Sequence, residues 1–241
     1  MQPDWTERTK HGFESALGHG APWSEDEVRG LGWAFFESGA GALSSWLTRL
    51  PALTQLQIEQ WHHPQLHDLA HTPRLRSLCL WDCTDVDITP LPGVAPNLKH
   101  VELKRCYVRD LTPLLHLPKL RSINLDGLPM SEDSWHRVVP ELLARGIPHV
   151  GNYPMMTDDE WRIMHTLAQR GLLLSVYRGA WGNAGIKAVG NATAYPTIVF
   201  HKLDNLAAAV EAFQGSTLDQ LWPHLNEASD QEEEPPEHED A

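Results

Sequence analysis

A short leucine pattern returns four times between Leu50 and Pro129, and this recurrence restricts the fold more than any other feature of the chain. The spacing Leu-x-x-Leu-x-Leu occurs as Leu53/Leu56/Ile58, Leu75/Leu78/Leu80, Leu98/Val101/Leu103 and Leu120/Ile123/Leu125. Successive copies are offset by 22, 23 and 22 residues, and Pro51, Pro73, Pro96 and Pro118 each stand two residues before the first apolar position. A period of this size marks units that stack into a solenoid, because one unit alone cannot bury its apolar side. The apolar alternation closing each copy predicts a short strand with leucines pointing inward and the intervening residues outward.

Composition sets outer bounds. The 241 residues are 41% hydrophobic and 21% charged, ordinary values for one elongated repeat domain or two small domains. No run approaches the ~20 apolar residues of a membrane helix, and the charged N-terminus is followed by no apolar leader. Three cysteines, Cys79, Cys83 and Cys106, cannot all pair, so reduced thiols in a cytoplasmic protein are expected. The sequon Asn191-Ala-Thr193 then carries no weight. Net charge is −13, and the last 16 residues hold eight acids and no Lys or Arg, leaving −5 for the body. Such a body offers no electrostatic footprint for nucleic acid or for anionic lipid, and neither is expected as a partner. Residues 226–241 read as a disordered, solubilising acidic tail.

The flanks differ from the repeats. Residues 1–49 predict a helical cap over the first unit. Asp4-x-x-Glu7 and Ser24-x-x-Glu27 are capping-box patterns, and Val28, Leu31, Phe35 and Phe36 are spaced for one helical face. The aromatic side chains of Trp5, Phe13, Trp23, Trp33, Phe35, Phe36 and Trp46 would supply its packing. Downstream of the repeats (50–129), Ser131–Trp135 recurs as Thr157–Trp161, and the runs end at Arg145-Gly146 and Arg170-Gly171. Each is followed by an apolar run, so residues 130–178 predict two longer helix–strand units continuing the stack. Residues 179–225 predict a Gly/Asn-rich loop, a strand at Thr197–His201 and a helix at Leu206–Phe213, forming either a C-terminal cap or a small domain.

Two further regularities sharpen the reading. Cys83 and Cys106 follow Leu80 and Leu103 by three residues, and Asp87-Ile88-Thr89-Pro90-Leu91 aligns with Asp110-Leu111-Thr112-Pro113-Leu114. With these, the repeats resemble the leucine-rich repeat family in its short, 22-residue, internalin-like bacterial type. The resemblance implies an α/β solenoid with a helical N-terminal cap and an α/β C-terminal extension. It also implies structural, backbone-facing thiols at Cys83 and Cys106, although Trp61 and Leu128 replace the Asn or Cys of the pattern. Partners of the family generally bind the concave face. The outward strand positions there are Gln55, Gln57 and Glu59; Ser77, Cys79 and Trp81; His100, Glu102 and Lys104; Ser122, Asn124 and Asp126. Gln57, Glu59, Trp81, His100, Glu102, Lys104, Asn124 and Asp126 are the candidate partner-binding residues, with Trp81 flanked by charges as in an interface hot spot.

Catalytic signals are absent by comparison. No Ser or Cys sits in a recognised nucleophile motif, and Gly179–Gly190 lacks the spacing of a phosphate-binding loop. His63, His67 and His71, with His62 beside them, would align imidazoles on a helix, but Pro64 interrupts the run, and no metal or cofactor is expected. The expected function is a non-enzymatic interaction module that binds a protein partner, basic by charge complementarity, an inhibitor or immunity-type protein being one concrete version. The alternative is a repeat module that targets an enzymatic or small-ligand C-terminal domain. In that case Tyr177, Arg178, Lys187, His201 and Lys202 would surround a pocket.

Overall fold

The computed structural model describes residues 7–37, 42–151, 154–178, 183–190 and 195–231. In chain order the elements are α1 (Glu7–Leu17), α2 (Glu25–Gly30), β1 (Trp33–Glu37), α3 (Leu43–Leu47), β2 (Gln55–Glu59), β3 (Ser77–Trp81), α4 (Leu91–Val94) and β4 (His100–Lys104). They continue with β5 (Ser122–Asn124), α5 (Val139–Ala144), α6 (Asp158–Gln169), β6 (Leu174–Arg178), β7 (Ala184–Ala188), β8 (Ile198–Phe200), α7 (Leu203–Ala212) and α8 (Leu218–Asp230). Short 3-10 turns occupy Leu66–His71 and Thr112–His116, and a π-helical stretch, Ser134–Val138, leads into α5.

Strands β1 to β5 form one parallel sheet in sequence order. Gln55 pairs with Ser77, Ser77 with His100 and His100 with Ser122, so the steps of the sequence repeat become the register of the sheet. The inward residues Leu56, Leu78, Leu80, Val101, Leu103 and Ile123 are buried in a continuous column. Leu66, Leu69, Ile88, Leu91, Leu111 and Leu114, from the return stretch of each unit, close the other side of that column. Burying one such leucine contributes about 1.5–3 kcal/mol, which explains why every unit spends its apolar residues on the same side.

Both ends of each strand carry a repeated backbone device. At the entrance one carbonyl accepts two successive N–H groups of the next unit. Gly32 serves Thr54 and Gln55, Thr54 serves Arg76 and Ser77, Arg76 serves Lys99 and His100, and Lys99 serves Arg121 and Ser122. At the exit, Gln60, Asp82, Arg105 and Gly127 occupy equivalent positions with φ of 54°, 53°, 50° and 57°. This left-handed residue turns the chain away from the sheet, and Cys83 and Cys106 follow it with their thiols donating to backbone carbonyls (Cys106 Sγ to Leu80 O, 3.1 Å).

The flanks depart from expectation in four places. Trp33, Phe35 and Phe36 lie in β1, which pairs with β2 at the same 22-residue step (Trp33 with Gln55). The segment expected to be wholly helical therefore supplies a fifth unit, with Leu31, Ala34 and Phe36 as its inward residues. α1 follows the free edge of β1, where the Thr9 hydroxyl accepts the Glu37 N–H (3.0 Å) and an open sheet edge is covered. The Ser24–Glu27 capping box forms at α2, whereas Asp4, Trp5 and the glycines 39 and 41 lie outside the described residues.

Of the two downstream units, only the first continues the parallel pairing. Pro148 O accepts the Ile123 N–H, and Val150 N–H donates to Ile123 O. The second unit, which begins at the Thr157–Glu160 capping box of α6, ends in β6. That strand pairs antiparallel with β7, which pairs antiparallel with β8. Extended pairing thus overrides the turn composition expected of 184–188. Residues 226–230 are helical within α8 rather than part of a tail, because Leu221, Trp222 and Leu225 anchor that helix in the core. Residues 232–241 lie outside the described residues.

The antiparallel sheet meets the strand exits through Gly127, where an added Cβ would overlap Ser175 Oγ. Non-glycine residues at the three equivalent exits show that left-handed strain alone is tolerated there. Gly127→Ala is expected to lower the unfolding free energy by about 2–4 kcal/mol, from backbone strain plus overlap. Ser175→Ala removes a buried hydroxyl that has no hydrogen-bond partner among the described residues, so alone it is expected to be near neutral. Combined with Gly127→Ala it is expected to restore about half the loss. Urea unfolding of the three variants measures the coupling, and strict additivity would contradict this docking.

Candidate partner-binding face

The outward residues of β2, β3 and β4 form a small polar network around Trp81. Its indole Nε1–H donates to Glu102 Oε1 on the neighbouring strand (2.8 Å), and the Lys104 ammonium lies 5.2 Å from the ring centroid. The parallel register that pairs Trp81 with Lys104 and Cys79 with Glu102 brings these groups together. The cation over the ring contributes about 0.5–1 kcal/mol at a partly exposed site. Two contacts from two sides hold a half-buried Trp in one orientation, so little rotamer entropy remains to be lost on docking. His100, exposed at the start of β4, is joined to Ser122 by Nδ1 and Oγ at 2.7 Å.

Three expected face residues are not available to a partner. Glu59 is 6% exposed because Arg8 of α1 bonds its Oε2 (2.8 Å) and Gln57 donates to its Oε1 (2.7 Å). Asn124 and Asp126 are 7% and 5% exposed. The chain turning past β5 covers both, and a Cβ at Gly151 would stand 2.5 Å from Asp126 Oδ1. These residues point the way the strand pattern requires, but neighbouring segments occupy the space in front of them. Gln57, Trp81, His100, Glu102 and Lys104 remain accessible.

The walls of this face differ. At the strand exits, Arg105 reaches back to Asp82 and donates two bonds (2.8 and 2.6 Å), and burial together with that guanidinium leaves Asp82 unavailable as a free charge. Sequence reasoning missed this pair, although both residues sit at the position just after each strand, 23 residues apart, with opposite charge. Beyond it lies a cavity of about 100 Å³ lined by Lys104, Arg105, Asp126, Gly127, Ser175, Tyr177, Lys187 and Thr197.

That cavity is not the pocket expected of an enzymatic C-terminal domain. It is smaller than the ~300 Å³ at which ligand pockets begin, and neither Arg178 nor His201 lines it. Arg178 is turned to Glu160 Oε1 (2.9 Å) and the Thr157 hydroxyl (3.2 Å), where it braces the α6 cap. Asp126, His149 and Ser175 are near one another in the fold, but they do not make a catalytic relay. His149 Nε2 stands 3.4 Å from Asp126 Oδ1 without hydrogen-bond geometry, and Ser175 Oγ has no partner. On the return stretches, His62 meets the Thr84 hydroxyl (2.8 Å) and His63 meets Asp85. His67 and His71 lie on a 3-10 turn, which does not align i, i+4 imidazoles. Among the described residues no group of three or more His, Cys, Asp or Glu converges as metal ligands, and no helix is long and apolar enough to cross a membrane.

Parallel strands at 22- and 23-residue steps, an unbroken leucine column and buried thiols at the strand exits define an α/β fold of the leucine-rich-repeat kind. No family model matches the chain, and no curated protein matches it. Among solved structures it is similar to an internalin C2 of Listeria monocytogenes str. 4b F2365, at 16% identity and a TM-score of 0.42, over 53% of this chain and 57% of that one. It is also similar to an internalin, inlF, of the same strain, at 14% identity and a TM-score of 0.34, over 62% of this chain and 64% of that one. The chain spans less than two thirds of the length of either.

Chemistry at the face is quiet by design of its surroundings. Burial, reinforced by the Glu102 carboxylate 3.9 Å away, pushes the Cys79 thiol up to about 11. At pH 8 only about 0.1% of it is thiolate, against roughly a quarter for an ordinary thiol. Cys79 is therefore expected to react with a disulfide reagent at pH 8 at least about tenfold more slowly than an exposed cysteine, the lost thiolate fraction outweighing the higher nucleophilicity of the more basic thiolate. Glu102→Gln, which removes the negative charge, is expected to speed the reaction. Fast labelling of the native protein at Cys79, followed by mass spectrometry, would contradict this assignment.

Proposed function

We propose that the chain is a protein-interaction module whose working surface is the accessible middle of the parallel sheet, centred on Trp81. The repeats serve as a short solenoid that presents this surface already formed. The observation carrying the proposal is the Trp81 indole, held by Glu102 and Lys104 in the polar surroundings that interface hot spots favour. Gln57 and His100 flank it as rim residues. A net charge of −13 favours a basic partner and speeds encounter at low salt, the behaviour of an inhibitor or immunity-type protein in the cytoplasm. The face itself contributes little of that charge, since Glu59 and Asp126 are buried.

The test begins with a partner captured from the native host and then measured as a purified pair. Trp81→Ala is expected to weaken that pair about 30-fold or more, the loss of a hot-spot residue. Val199→Ala, on an exposed residue of β8 in the antiparallel sheet, is expected to leave it unchanged. A Kd indifferent to Trp81→Ala, or one that responds to Val199→Ala instead, would move the working surface to the C-terminal sheet.

A further inference from the structure

A cavity of different character lies outside the Trp81 face. It is a groove of about 850 Å³ at the strand entrances, lined by Ala52, Thr54, Pro73, Asn97, Pro118 and Leu120 together with five cations, Arg74, Arg76, Lys99, Lys119 and Arg121. Among the described residues no carboxylate lines it. In a chain with 32 acids against 19 bases, this local reversal of sign sets the groove apart.

The repeat itself builds the reversal. Each proline opens a Pro-x-Leu-x segment, and the two x positions are Arg74 and Arg76, Asn97 and Lys99, then Lys119 and Arg121. The leucine between them is buried, so both x positions are turned outward. The shared-carbonyl ladder fixes the second column, because the carbonyls of Thr54, Arg76 and Lys99 each bind two N–H groups of the following unit. Successive members of one column therefore stand one strand spacing apart, about 4.8 Å, and the two columns about 7 Å apart. Asn97 ties the floor, donating to Pro73 O (2.9 Å) and accepting from Lys119 Nζ (2.6 Å). Among the described residues none of the five cations has an ion-pair partner, whereas Arg8, Arg49, Arg105, Arg137, Arg145, Arg162 and Arg178 all do.

We propose that this entrance groove binds an acidic, extended segment of a partner protein. The reading is independent of the Trp81 face, which stands at the other end of the same strands. Like charges held in rows without counter-ions gain most from a ligand that brings several carboxylates at once. An extended peptide places alternate side chains about 7 Å apart, the spacing of the two cation columns. A nucleic acid strand shares the charge but not the remaining chemistry. The lining holds no aromatic ring on which a base could stack, and a long polyanion would run into the field of an otherwise acidic molecule.

The test uses the full chain and a fluorescein-labelled deca-glutamate peptide, with a deca-lysine peptide and a labelled 12-mer oligouridylate as comparators. Fluorescence anisotropy is expected to show deca-glutamate binding at 50 mM salt and at least tenfold weaker binding at 200 mM salt. The double variant Arg76→Glu/Arg121→Glu is expected to weaken it a further tenfold or more, with Arg76→Gln/Arg121→Gln between. Both substituted side chains, Arg76 and Arg121, are exposed, and an unchanged melting temperature checks that the variants fold. The proposal is overturned by no binding of deca-glutamate, by binding that these variants leave unchanged, or by tighter binding of oligouridylate at the same residues.

Discussion

One shared carbonyl per unit holds this molecule in register. Because the carbonyls of Gly32, Thr54, Arg76 and Lys99 each close two hydrogen bonds to the next unit, a strand cannot slip by one residue without losing both. A slip of one would also turn the leucine column outward. Backbone and side chains therefore enforce the same pairing, and the left-handed residue at each strand exit completes the constraint by sending the chain away at a fixed point.

That single register has three consequences at different heights on the strand. At the entrances it aligns cations that lie near one another only because their units are stacked. On the closing residues of the strands it sets Trp81 against Lys104 and brings Glu102 within reach of the indole. At the exits it places Gly127 where the antiparallel sheet can approach, and Asp82 where Arg105 can grip it. The two long edges of the sheet thus differ in kind: the C-terminal unit covers the exits, and the entrances stay open and basic.

The repeat region was legible in the sequence because its physics is local and periodic. Leucine spacing, cysteine positions and the strand alternation all survive in the structure residue for residue. The first unit escaped notice because Ala34 and Phe36 take the places of leucines and Arg29 takes the place of the proline, although Leu31, Ala34 and Phe36 keep the 22-residue step. Strand β7 escaped for the opposite reason: its glycine and alanines read as a turn, and only pairing with β6 and β8 makes them a strand. At the candidate face the pattern placed side chains on the right side, but it is silent about what lies in front of them. Arg8 over Glu59 and Gly151 over Asp126 are contacts between segments distant in sequence, and no periodicity reports them. The entrance cations were visible at fixed offsets from each proline, yet an overall charge of −13 concealed a local reversal.

The central claim is that the face around Trp81 is already formed in the free protein, so that the fold itself does the work of orientation. Nitrogen-15 relaxation of the Trp81 indole N–H measures this directly. The account predicts an order parameter near that of rigid backbone, about 0.85, falling when Glu102→Ala removes the acceptor. A value below about 0.6 in the free wild-type protein would contradict it and make the Trp81 side chain a mobile group ordered only by its partner.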